Sequence, residues 1–307
     1  MADLWKASLS TMWGIKKFPT IAGFLLASRK YGFDQVELNH QVDSCMLLGI
    51  ELHQYRFSSV HEPCPADISS DRLKAMDWLI SACDEYCREQ GVQSIRRSID
   101  LARKLGAKVV VVHAGIIPGG HRMEEKLSTL YDSGQAGSQE YLHLKRYMER
   151  TRSMLAGPRL ESVKKSLVEL IEYASLLGIR LGLENRYYYF DIPNLDELGD
   201  LLTLAGPDQL GWIYDVGHAQ ALDLLGFYPH DEWLKRYSSR MIGAHLHDTI
   251  GIHDHYAPGL GEIDFSQIAP YLPLDAFRTC EIRPRNTPEE VEAGMKYLAD
   301  RGCVICR

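Results

Sequence analysis

Eight short apolar runs, separated by longer stretches of helical periodicity, constrain this chain more than any other feature. They are Lys6–Ser10, Gln35–Asn39, Arg56–Val60, Lys108–His113, Arg180–Glu184, Leu210–Asp215, Ile242–His247 and Arg278–Ile282. Several, KVVVVH and IRLGLE among them, are nearly unbroken hydrophobic runs, the pattern of parallel strands covered on both faces. Between them, Ser94–Leu105 and Leu160–Leu177 carry apolar residues at helical spacing. They stop at Gly106 and Gly178, and glycine readily takes the left-handed backbone that closes a helix. Asn194 and Pro288 stand near two further starts rich in early acids. Eight strands, each followed by a helix, predict an α/β fold: a single (β/α)8 barrel over residues 1–307. An open doubly wound sheet would want a glycine-rich turn after its first strand, and SLSTMWGIKK supplies none.

One stretch breaks the period. Residues 116 to about 158, after the fourth strand, are too many for a simple loop. They contain PGGH and two polar, helix-like pieces around Glu124–Leu130 and Gln139–Ser153. An insertion after a barrel strand sits over the active-site face, as a lid or as a contact with a second copy in a homo-oligomer.

The strand ends carry the chemistry. The third run closes on His61, the fourth on His113, the fifth on Glu184 and the sixth on Asp215, with His218 three residues on. The seventh ends in His245 and His247, and the eighth reaches Glu281. In a parallel barrel all C-terminal strand ends meet at one mouth. A single histidine there is unremarkable chemistry, but a carboxylate closing an apolar strand needs a cation or strong donors. Three together would repel and take up protons unless a metal sat among them. His247 is expected to turn away from the side His245 faces and to support the site. Four of the twelve histidines, His245, His247, His253 and His255, fall in one eleven-residue stretch before a Pro-Gly turn. Gly259 and Gly261 are expected to allow unusual backbone angles there. His40, His53, His121, His143 and His230 lie in polar or helical contexts and are read as surface residues.

Bulk properties narrow the partners. A net charge of −7 argues against nucleic acid, whose binding is driven by Lys and Arg. No apolar run approaches the roughly 20 residues that span a bilayer, so no membrane role is expected. The start lacks an apolar secretory core, and the seven cysteines are odd in number and scattered, which fits a reducing cytoplasm. Cys303 and Cys306 have CxxC spacing without a partner pair and are read as small apolar residues.

At VVVHAG, GLEN, DVGHA, HLHDT, HYAPGLGEIDF and EIRP the chain resembles the xylose isomerase-like barrel superfamily. That group holds endonuclease IV as well as sugar isomerases and epimerases related to tagatose 3-epimerase. The resemblance implies one divalent metal (Mn, Zn or Co) on Glu184, Asp215, His245 and Glu281. Room for a second or third ion comes from His61, His113, His218, His253 and His255, with His253 standing where endonuclease IV has an aspartate. ENRYYYF lacks the second glutamate of the epimerases, so their substrate contacts do not carry over.

Three functions follow. The first is a metal-dependent isomerase or epimerase of a small sugar or related hydroxy-carbonyl compound, with Glu184 and Glu281 as acid and base. His218, Arg283 and Trp13 would be its substrate contacts. The second is an endonuclease IV-type zinc phosphodiester hydrolase; the acidic charge and His253 weigh against it. The third is a barrel that uses the metal for lyase chemistry or ligand binding alone.

Overall fold

A computed structural model describes residues 4–306. The eight barrel strands are β1 (Trp5–Ser10), β2 (Phe33–Leu38), β3 (Phe57–His61), β4 (Val109–Val112), β5 (Arg180–Glu184), β6 (Leu210–Asp215), β7 (Met241–Leu246) and β8 (Phe277–Cys280). They pair in parallel, each with its chain neighbours, and β8 closes on β1. The expected closed (β/α)8 barrel is the fold. β4 shows why: four consecutive valines, stiff at χ1 and suited to a pleated surface, are all buried.

The barrel interior has two unlike halves. Val109, Val111, Ile213 and Ile242 form an apolar cluster, with Phe277 packed on it. On the other side Ser8, Ser58, Ser59, Thr279 and Glu37 are buried together. Their contacts join strands that are not neighbours in the sheet, such as Ser58 on β3 with Ser8 on β1 at 2.9 Å, and such contacts can run only through the interior.

The helices follow the sequence signals with three differences. Glu85–Leu105 begins nine residues before Ser94, where Asp84 caps Cys87 N, and it ends as expected at left-handed Gly106. Asn194 and Thr287 both form capping boxes. After β2 no α-helix follows; two 3-10 turns, Cys45–Leu47 and Leu52–Gln54, fill the connection. The expectation of a helix after every strand therefore fails at that one place.

The insertion is the third difference. His121–Asp132 is a helix, but the piece beginning at Gln139 runs without a break into the barrel's own helix, giving 38 residues from Gln139 to Leu176. Pro158 lies inside it. A proline there removes one backbone donor, and the carbonyl left without its partner belongs to Met154, on an exposed turn of the helix. The rod is held on both sides of the proline by buried Met148, Arg152, Val163 and Leu167. Arg152 donates two hydrogen bonds of 2.7 Å to Glu197 and others to the carbonyls of Tyr189 and Asp191. Tyr141 reaches the Leu225 carbonyl at 3.0 Å. The insertion thus packs on the loops that follow β5 and β6, beside the mouth.

Glu124, in the first turn of the shorter insertion helix, accepts a hydrogen bond from Phe190 N at 2.8 Å. Burial pushes its carboxyl up to about 7 from 4.5. A carboxyl raised on folding binds its proton more tightly in the native chain, so its contribution is complete below pH 4.5 and is lost as pH rises through 7. Glu124→Gln keeps the acceptor and removes the titration. Its melting temperature is expected to vary less than wild type between pH 5 and 7.5. Parallel curves for the two proteins would count against the assignment.

Among the described residues, no helix is long and apolar enough to cross a membrane, and the seven cysteines are all unbridged. Cys303 is buried and Cys306 exposed, so the CxxC pair does not face one site.

Candidate active site at the barrel mouth

The strand ends converge as expected. His61 and Glu184 close β3 and β5, His113 follows β4, Asp215 closes β6, His245 is the penultimate residue of β7, and Glu281 follows β8. His245 Nδ1 lies 2.8 Å from Glu184 Oε1, 2.9 Å from Glu281 Oε2 and 3.6 Å from Asp215 Oδ2. Nitrogen and oxygen atoms of these four residues all fall within 4.8 Å of one another. Ligands held at about 2.0–2.2 Å around one ion would be separated by up to about 4.4 Å, so the group closes on a cation with little adjustment. Glu184 Oε1, Glu281 Oε1 and His245 Nδ1 are buried and make no hydrogen bond. Buried polar atoms are rarely left so, and a cation is a partner that fits all three.

Each side chain is placed by local sequence. In DVGH, Asp215 caps the helix Val216–Leu224 by accepting from His218 N at 2.8 Å. Gly217 gives the His247 ring room: a Cβ there would lie 2.2 Å from the ring's Cε1. His247 Nε2 meets Asp215 Oδ1 at 3.0 Å, and its Nδ1 accepts from His255 N at 3.1 Å. It therefore supports Asp215. β7 ends at Leu246, so His247 lies outside the strand and need not face the side that His245 faces, although residues two apart in a strand share a face.

Two further groups flank the four. His61 Nε2 and His113 Nε2 are 3.2 Å apart, at 3.5 Å and 3.0 Å from the Glu184 carboxylate. On the other side His218, Asp254 and His255 come together, with His218 Nε2 at 3.8 Å and His255 Nδ1 at 3.5 Å from Asp254 Oδ2. His255 sits at φ +63°, a left-handed conformation unusual for a non-glycine residue. It is pinned by its N–H on His247 and by Arg283 N on its carbonyl at 3.0 Å. Arg283 also donates to Asp254 Oδ1 at 2.8 Å.

The charge states suit metal ligation. Burial disfavours ionised Glu184, but Arg186, in direct contact, and the adjacent imidazoles of His113, His245 and His61 outweigh it and hold the carboxyl well below the usual range. Glu281 is likewise lowered, mainly by His245 overcoming burial. Burial lowers His113 far below normal and His255 to about 4, leaving neutral imidazoles. Burial opposes the charged forms of His61 and His245, but the carboxylates around them outweigh it, raising His61 to about 9 and His245 well above its usual value. Ligands must give up such protons to bind a metal, so binding would release them.

Two expected residues stand outside these groups. His253 lies at the rim of the cup, half exposed, and pairs with Asp132 at 3.2 Å, while its neighbour Asp254 joins His218 and His255. Trp13 is fully buried and donates to the Asn286 carbonyl at 2.9 Å, while Met12 lines the cup. Gly259 has the positive φ expected of it, but Gly261 does not; a Cβ on Gly261 would lie 2.1 Å from Thr249 O, so close approach explains it. Sequence reading missed Glu37, His40, Arg186 and Asp254. His40 lines the cup and His230 is half-buried against Tyr214 and Gln220, so neither stands free in solvent.

The cup is a cavity of about 260 Å³, walled also by Tyr187 and Tyr188. A larger cavity of about 900 Å³ lies at the opposite end, among strand starts such as Lys6, Lys108 and Arg180. It lacks the convergent ligand atoms of the mouth.

Fold and site together define a (β/α)8 barrel with a carboxylate–imidazole cup at its C-terminal mouth. The chain belongs to the xylose isomerase-like TIM barrel family, which matches residues 25–301. It is 25% identical over 195 residues to protein MJ1311 of Methanocaldococcus jannaschii, covering 62% of this chain and 55% of that protein. The chain thus spans about half the length of the curated relatives it matches. A crystal structure of a D-tagatose 3-epimerase-like protein superposes with a TM-score of 0.66 at 20% identity, covering 96% of each chain. The IolI protein, whose structure holds a zinc atom, gives 0.65 at 16% identity over 96% of this chain and 97% of that one.

Proposed function

We infer that the protein is a divalent-metal-dependent isomerase or epimerase of a small sugar or related hydroxy-carbonyl compound. The single observation behind this reading is the four-residue group at the mouth, in which Glu184 Oε1, Glu281 Oε1 and His245 Nδ1 are buried without hydrogen-bond partners. The similarity to a D-tagatose 3-epimerase-like protein and to zinc-holding IolI supports it.

Asp215 and His245 would hold the cation, with Glu184 and Glu281 completing the set. A bound cation would polarise a substrate carbonyl and offset the charge that grows as the adjacent C–H proton leaves. Glu184 and Glu281 enter from β5 and β8 and are both ionised at neutral pH. They take the proton from carbon and return it. His218 and Arg283 face the open side of the cup and bind substrate oxygens. The tyrosine-walled cup of about 260 Å³ matches a monosaccharide in size.

A second reading, a multinuclear zinc hydrolase, draws on the two flanking groups, His61–His113–Glu184 and His218–Asp254–His255. Metal stoichiometry separates the two. Protein purified without chelator is expected to carry one divalent ion per chain and to isomerise or epimerise a member of a sugar and sugar-acid panel. Two or three ions with cleavage of abasic DNA would establish the hydrolase. No bound metal, and none taken up from added Mn or Zn, would sink both.

A further inference from the structure

A carboxylate lies beneath the cup, and the ligand set does not account for it. Glu37, on β2, is fully buried. Its Oε2 is 3.2 Å from His245 Nε2, across the barrel on β7. The same oxygen accepts from Ser59 Oγ at 2.6 Å and from Thr279 Oγ1 at 3.4 Å. Ser58 Oγ meets Ser59 Oγ at 3.0 Å, and Ser8 Oγ meets Thr279 Oγ1 at 2.7 Å. These hydroxyls make up the polar half of the interior. Apolar side chains fill the other half, so packing alone does not require them. A carboxylate placed there needs donors to offset its desolvation; the hydroxyls supply them to Oε2, while Oε1 is buried without a partner.

The remaining question is what Glu37 does for His245. The two imidazole nitrogens face different surroundings. Nε2 faces Glu37. Nδ1 has three carboxylate oxygens within 3.6 Å, yet its N–H direction would satisfy none of them as a hydrogen bond. It points between them, where a ligand lone pair belongs. A neutral imidazole carries one proton, and the hydrogen bond made by one nitrogen decides which nitrogen is bare.

We propose that Glu37 is a positioning residue: by accepting the Nε2–H of His245 it fixes the ring and tautomer that aim the Nδ1 lone pair at the cation site. This rests on the reading that His245 is a metal ligand. Ser59 and Thr279 act one step further back by holding the Glu37 carboxylate in place.

The test uses the full chain and Co2+ as probe. Affinity is measured by competition with a chelator and coordination by the visible spectrum of the bound ion. Glu37→Gln keeps size and an acceptor oxygen but loses the charge; it is expected to weaken Co2+ binding by about tenfold or more. Ser59→Ala is expected to weaken it by less. Wild-type affinity and an unchanged spectrum in Glu37→Gln would overturn the proposal. Should that variant fail to fold, 15N NMR of the Zn2+-loaded wild type decides, with the His245 ring signals assigned through their couplings to its backbone. Zn2+ on Nδ1 with a proton on Nε2 supports the proposal, and Zn2+ on Nε2 overturns it. A wild type that binds no Co2+ at all fails at the earlier step, the metal reading itself, and is distinguishable for that reason.

Discussion

Glu281→Gln lowers turnover by about 10²–10⁴-fold, on the substrate that the sugar panel identifies, while circular dichroism shows an intact fold. Glu281 is 2% exposed and lies 2.9 Å from His245 Nδ1 through Oε2. Its other oxygen is buried without a partner. Glutamine has nearly the same volume, so packing survives. What changes is the chemistry: the amide cannot take a proton from carbon, and it brings no negative charge to the cation site. Proton transfer and ligand charge are lost together, which puts this among the largest single effects available. The comparison is made at saturating metal, so that weakened ion binding is not read as lost proton transfer. Activity within twofold of wild type under those conditions would remove Glu281 from the mechanism.

Arg152→Met is expected to destabilise the fold by about 3–5 kcal/mol in chemical denaturation. Arg152 is 3% exposed and Glu197 8% exposed. Methionine replaces the stem of the arginine and leaves the Glu197 carboxylate buried without its cation, along with the carbonyls of Tyr189 and Asp191. Glu197 also closes the capping box with Asn194, so the strain reaches the next helix. The double variant Arg152→Met/Glu197→Leu is expected to recover part of the loss, because two apolar groups do not need each other as two charges do. A loss under 1 kcal/mol in the single variant would show that water reaches the pair. Tyr187 and Tyr188 ride on the segment that Arg152 ties down, so the same variant should raise KM more than it lowers kcat.

The barrel and most of its cup could be read from the chain because one rule covers both. Glu184, Asp215 and Glu281 each end an apolar run, and parallel winding gathers such ends at one mouth. Glu37 carries the same signal, an acid inside the apolar run of VEL, but it lies a turn below the rim and was passed over. His40, just past the end of β2, looked like the start of a polar loop. The loop after β7 resisted for a different reason. Choosing between His253 and Asp254 by spacing assumes an extended chain, and His255 breaks that assumption with its positive φ. The long helix was hidden by Pro158, which ordinarily marks a boundary; here anchors on both sides carry the helix through.

That helix has a consequence for how the mouth is approached. At 1.5 Å per residue its 38 residues measure about 57 Å, far longer than any strand of the barrel. The parapet beside the opening and the buttress behind β4 and β5 are therefore one continuous beam. That side of the rim is not expected to swing like a door, because it would have to break the beam to do so. Changing what passes through would mean reshaping the tyrosines on its jamb, not loosening a hinge.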